Sequence, residues 1–146
     1  LSRSQLEALH DAAETEVLLD PKEGGLYPIL VRLAFHKSLT MDELLNIRLQ
    51  DLDLSKKRPK IWIPALSVGG KPRMITLSRD LRERVVEYLH FRKTRIREEE
   101  ELSEYLFTDG GGLAMSRPEL EKRLQRLCTK AGLSVPSGKG SPPKAR

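Results

Sequence analysis

With 146 residues, a net charge of +5 and a pI near 9.5, the chain is long enough to close one hydrophobic core, and its basic excess is moderate. The single cysteine, Cys128, and three scattered histidines exclude an internal disulfide and a structural zinc cluster, so neither a metal nor a cofactor is expected. No apolar run approaches the ~20 residues of a membrane span and the start lacks a signal-peptide pattern, which implies a soluble, cytoplasmic protein, on the nucleoid if it binds DNA.

Ser2 with Gln5 three residues on is a capping-box pattern, and Leu6, Leu9 and Ala13 follow at helical spacing, predicting a helix over about 3–16. After the loop "DPKEGG" (20–25), "LYPILVRLAFHK" is apolar on nearly every side and reads as the central buried helix, with Pro28 tolerated in its first turn. Thr40 and Glu43 repeat the capping-box spacing ahead of Leu44, Leu45 and Ile47, predicting a short third helix. "KIWIPA" (60–65) and "RMITL" (73–77) are β-branched or aromatic, and Gly69-Gly70 lies between them, the signature of a β-hairpin; Trp62 is expected to be packed within it.

Ser78 caps a helix whose buried stripe is Leu81, Val85, Tyr88 and Leu89, running into the acidic stretch 98–101, a solvated helix end or loop. "EYLFTDGGG" reads as a short extended piece closed by a glycine turn. The last helix has Ser116 and Glu119 as a capping box, Leu120, Leu124, Leu127, Cys128 and Ala131 as its core face, and Gly132 as its stop. The sequence therefore predicts an α+β domain over 1–133, mainly helical with a small antiparallel hairpin or three-stranded sheet, and a basic flexible tail over 134–146.

Two groups of basic residues are candidates for contact with nucleic-acid phosphates. Lys71 and Arg73 flank the hairpin turn, where such residues are as often simply solvated. Lys122, Arg126 and Lys130 recur every four residues along the last helix, a pattern equally expected of a solvated helix face.

The order of these elements, and the stretches "LAFHKSLTMDELLNIRLQDLDL", "IWIPALSVGGKPRMITLS" and "EYLFTDGGGLAMSRPELEKRLQRLCTKAGL" in particular, resembles the catalytic domain of tyrosine recombinases (phage integrases) over roughly residues 1–133. The resemblance implies double-stranded DNA as partner, with the hairpin facing its minor groove, and self-association or other recombinase subunits as further partners. It implies strand cleavage by a tyrosine, with two arginines, a hairpin lysine and histidines or a tryptophan stabilising charge on the phosphate. At the positions matching that pattern this chain departs from it. Thr40 stands three residues before Glu43 where the first arginine is expected, and Val68 stands where the hairpin lysine is expected. The remaining motifs, a histidine-x-x-arginine and the tyrosine, would fall beyond Arg146. The expectation is that no residue of this chain is catalytic by itself. The alternatives are a fragment of an active recombinase, or a protein-binding adaptor on the same fold.

Overall fold

The segment that is apolar on every side lies at the centre. In the computed structural model, which describes residues 2–21, 23–66, 69–95, 103–109 and 113–133, it runs as one continuous helix. Helix α2 (Leu26–Leu30) passes into a π-helical turn over Val31–His36, where the Lys37 N–H reaches the Arg32 carbonyl at 3.0 Å. Leu26, Ile29, Leu30, Val31, Leu33 and Ala34 are all but sealed from solvent. Four expectations from the sequence fall outside the described residues: Val68, the acidic stretch 98–101, the glycine turn 110–112 and the tail 134–146.

Three long helices wrap this rod. Helix α1 (Arg3–Leu19) starts in the predicted capping box but runs three residues further than its spacing implied. Nothing in Val17, Leu18 and Leu19 breaks a helix, whereas Pro21 drives Asp20 into an extended conformation and ends it there. The loop that follows folds back against the last turn of α1 so closely that a Cβ on Gly24 would collide with the Glu16 carbonyl. Helix α4 (Arg79–Arg95) begins at Ser78, whose Oγ accepts the Leu81 N–H at 3.1 Å, and it buries Leu81, Val85 and Tyr88 as predicted. Helix α5 (Arg117–Lys130) buries Leu120, Leu124, Leu127 and Cys128 and ends on Gly132 at φ +76° with a 2.8 Å bond from the Leu133 N–H to the Cys128 carbonyl. Burial pushes the Cys128 thiol up to about 11, which leaves it unreactive.

Two expectations for side chains need correction. The capping box of α5 is only half made: Ser116 accepts the Glu119 N–H at 3.3 Å, but the Glu119 carboxylate turns instead to Arg123 Nε at 2.9 Å, a charge-assisted bond that outcompetes a neutral backbone donor. Trp62 is 39% exposed instead of packed. Strand alternation explains this, because Ile61 and Ile63 take the inner face and leave the residue between them on the outer one.

The sheet is antiparallel, in the order β1 (Leu52–Asp53), β2 (Lys60–Ile63), β3 (Arg73–Thr76), with Ile61 opposite Leu52 on one side and Ile75 on the other. Helix α3 (Met41–Leu45) stands between the central rod and α5. The segment from Ser103 crosses beside it: Tyr105 bridges Arg48, and the Leu106 N–H bonds the Ile47 carbonyl at 2.9 Å.

That crossing is fastened by Arg92 of α4, only 2% exposed, whose guanidinium donates to the carbonyls of Ser103 (2.6 Å), Tyr105 (2.7 Å) and Leu106 (2.8 Å). A buried cation removed from such a cluster leaves several carbonyls without their donor, each a loss of about 1–3 kcal/mol. Arg92→Met is expected to lower unfolding free energy by about 3 kcal/mol with an unchanged m-value in urea denaturation.

Candidate nucleic-acid interface

The chain leaves the central rod through Ser38, a non-glycine residue in the left-handed region at φ 59°, so its surroundings set the entry to α3 against local preference. Thr40 then caps α3 as the sequence predicts. Its Oγ1 accepts the Glu43 N–H at 3.1 Å, and Glu43 Oε1 accepts the Thr40 N–H at 3.0 Å.

Glu43 also takes hold of the hairpin. Arg73 donates from Nη1 to Glu43 Oε2 at 2.7 Å and from Nη2 to Oε1 at 3.1 Å, a fork-to-fork pair. The carboxylate is 14% exposed and the guanidinium 45%, so the acid lies underneath and the cation faces outward. Burial pushes the Glu43 carboxyl up, but the hydrogen bonds from Arg73 and from the Thr40 N–H outweigh it and hold it below its ordinary range. Arg73 shares the inner face of β3 with Ile75, at the point where the core gives way to the start of α3. Lys71 is exposed two residues earlier.

A second arginine reaches the same helix. Arg117, the first residue of α5, donates from Nη1 to Asp42 Oδ1 at 2.8 Å and lies with its Nε 3.4 Å from Glu121. Sequence reasoning passed over Arg117, since nothing in its neighbourhood marks it as a partner of residue 42. The signal present was Asp42 itself, an acid in the first helical turn.

The α5 stripe lies elsewhere, against α1. Arg126 Nε and Lys130 Nζ both close on Glu16 Oε2, at 3.0 and 2.6 Å, and Glu16 is 5% exposed. Burial raises the Glu16 carboxyl, and the bonds from Lys130 and Arg126 more than reverse that. Two of the three predicted stripe cations thus have an internal acid as partner, while Lys122 lines an open depression of about 440 Å³ with Tyr27 and Arg123. The hairpin cations and the α5 stripe are not brought together.

The tyrosines are engaged in the fold. Tyr27 and Tyr88 are buried, burial pushes the Tyr27 phenol above its ordinary value, and Tyr105 lies under the Arg48 guanidinium 5.4 Å from its ring centre. His10 and His36 meet with their Nε2 atoms 2.7 Å apart, tying α1 to the central rod. Burial, with Arg32 and His36 beside it, lowers the His10 pKa. Among the described residues no group of three or more His, Cys, Asp and Glu side chains is placed to hold a metal.

The sequence pattern described as the Phage integrase family matches residues 1–144. The chain belongs to that family. None of the curated proteins matches it. Among solved structures, XerA recombinase is similar with a TM-score of 0.66 and 21% identity, over 92% of this chain and 43% of that one. XerH site-specific recombinase, solved bound to difH substrate in a pre-cleavage complex and to palindromic difH in a post-cleavage complex, is similar with a TM-score of 0.69 and 20% identity, over 97% of this chain and 38% of that one. At these identities the likeness is one of fold, and it bears out the mainly helical α+β architecture with a three-stranded antiparallel sheet. The chain spans about two fifths of the length of these recombinases.

The two glutamates and His10 make stability depend on pH. Glu16 and Glu43 have depressed folded values, so their contribution is complete above the ordinary glutamate pKa of 4.5 and is lost as pH falls through the depressed values. His10 is depressed as well, so its contribution is complete above 6.5 and declines below it. Thermal melts from about pH 7 to about pH 3 should lose Tm in two steps. His10→Asn is expected to remove the upper step, and Glu16→Gln to lower stability by about 2 kcal/mol at neutral pH and flatten the lower one.

Proposed function

We propose that this chain is a DNA-binding domain of the tyrosine-recombinase type, serving DNA integration or recombination, and that it grips double-stranded DNA through phosphates. The observation that carries this reading is the family match over residues 1–144, and XerH, which shares the fold, has been solved on its DNA substrate. The basic hairpin residues Lys71 and Arg73 are exposed in keeping with it, and Lys122 on α5 offers a second contact. The reading places the protein on the nucleoid, with other recombinase subunits as neighbours.

The isolated chain is further proposed to be without strand-cleaving activity. Thr40 offers a phosphate one neutral hydrogen bond where arginine would offer a charged fork, and Val68 offers none. Each missing cation in a preorganised site withdraws on the order of 3 kcal/mol of transition-state stabilisation, about a hundredfold in rate. Tyr27 and Tyr88 are packed into the core, which leaves them poorly placed to attack a phosphate. A second reading, that the parent protein is an active recombinase, is favoured by the chain spanning only part of the length of XerA and XerH.

Fluorescence anisotropy with a labelled duplex should show affinity falling steeply between about 50 and about 200 mM salt, because counterion release drives Lys and Arg contacts to phosphate. Affinity indifferent to salt counts against the reading, and capture of a protein partner with no shift of labelled DNA would support the adaptor instead. Incubation with a suicide DNA substrate should leave no covalent band on a denaturing gel. A band lost on Tyr105→Phe would show that the chain cleaves DNA after all.

A further inference from the structure

His10 of α1 and His36, the last residue of the π-helical turn, face each other through their Nε2 atoms at 2.7 Å, with ring centres 4.9 Å apart. Two residues beyond His36 the chain passes through Ser38 at φ 59°, and two beyond that Thr40 caps α3. From this juxtaposition we infer that the His10–His36 pair is a pH-sensitive latch: uptake of a second proton by the pair breaks its hydrogen bond and frees the Lys37–Leu39 corner, and with it the entry to α3. The inference is independent of what the domain binds.

The proton count decides when the latch opens. In the neutral pair one ring donates its Nε2–H and the other accepts, and one added proton leaves a charged donor facing an acceptor. A second proton sets two N–H donors and two positive charges against each other, with no lone pair between them. The surroundings do not compensate. Glu14 of α1 bonds Arg84 of α4 at 2.6 Å, Arg84 lies 3.7 Å from Asp80, and Asp80 bonds Arg32 of the rod at 2.6 Å. Those four charges sum to zero, and Lys37 lines the same open depression of about 320 Å³ as a further cation. Burial, with Arg32 and His36, accordingly holds His10 below its ordinary 6.5 against the opposing pull of Glu14 and Asp80. Opening returns His10 to its ordinary value, so the open fraction grows as pH falls below 6.5, by at most about tenfold per pH unit for one proton.

The opening is confined to one side of the pair. Helix α1 remains fixed by Leu9 and Ala13 in the core, by the Glu14–Arg84 bond, and by Glu16 held from Arg126 and Lys130. His36, Lys37 and Ser38 are exposed, a corner strung between buried Phe35 and buried Leu39. Its backbone is fastened by the Lys37 N–H on the Arg32 carbonyl and the Leu39 N–H on the Leu33 carbonyl, both at 3.0 Å. Ser38 stands in the left-handed region against its local preference, so a corner released from His10 relaxes away from this conformation and shifts the Thr40 cap.

The test is amide hydrogen exchange followed by NMR on the whole chain, each rate divided by its unstructured reference, from about pH 7.5 to about pH 5. Glu16 and Glu43, held below 4.5, stay ionised over that range. Protection at Leu39, Thr40 and Glu43 is expected to fall about tenfold, while Ala13 in α1 and Leu124 in α5 keep theirs. In His10→Asn the amide can turn either its donor or its acceptor to His36, and protection at the corner should not change with pH. No fall in the wild-type chain, or an equal fall in His10→Asn, overturns the latch. A fall shared by Leu124 is global unfolding and overturns it as well. Where His10→Asn fails to fold, His36→Asn takes its place, and the wild-type imidazole proton shifts decide without any variant. A second proton uptake by the pair below 6.5, tracked by the Thr40 amide shift, supports the latch, and two rings that titrate independently of each other refute it.

Discussion

The fold depends on burying one helix on all sides. Residues 26–36 carry almost no polar side chains except at Arg32 and the His36 end, and a helix of that kind is stable only when other elements cover it. α1 covers it with Leu9 and Ala13, α4 with Leu81, Val85 and Tyr88, and α5 with Leu120, Leu124 and Leu127. Once that enclosure exists, smaller pieces persist that would not form alone. α3 is five residues long and β1 two, both far below the length at which helix or hairpin survives in water, yet both rest on the enclosed rod or on the sheet attached to it.

At Glu16 and Glu43 the acid lies deeper than the cations it holds, whereas Asp42, Asp80 and Glu104 are more exposed than the arginines they pair with. Glu16 sits beneath Arg126 and Lys130, and Glu43 beneath Arg73. In each case desolvation alone would raise the carboxyl, and the cations more than compensate. The arrangement also joins elements: Glu16 couples α1 to α5, and Glu43 couples α3 to the hairpin.

What could be read from the sequence was whatever is local. The caps at Ser2, Thr40 and Ser116 depend on residues three apart, and the hairpin depends on two apolar stretches with a glycine pair between them; both patterns are complete within a short window. Trp62 takes the outer face because its parity in the strand opposes that of Ile61 and Ile63, which hold the inner one. The pairs that build the candidate interface span 30 residues from Glu43 to Arg73 and 75 from Asp42 to Arg117, and Glu16 lies 110 residues from Arg126. Such pairs have no periodicity to betray them, and in a chain with so many charges the possible pairings are too numerous to choose among. They become visible only when the packing of the apolar rod has set which helices are neighbours.

Arg92 has a bearing on how this fold tolerates sequence drift. Its guanidinium holds the crossing segment by the main-chain oxygens of Ser103, Tyr105 and Leu106, and every amino acid supplies such an oxygen. The side chains at 103 and 105 can therefore change over evolutionary time without weakening those bonds, while the arginine that makes them has no substitute of equal reach and geometry. Constraint at this junction is concentrated in one residue of α4, and the segment it secures is left open to variation.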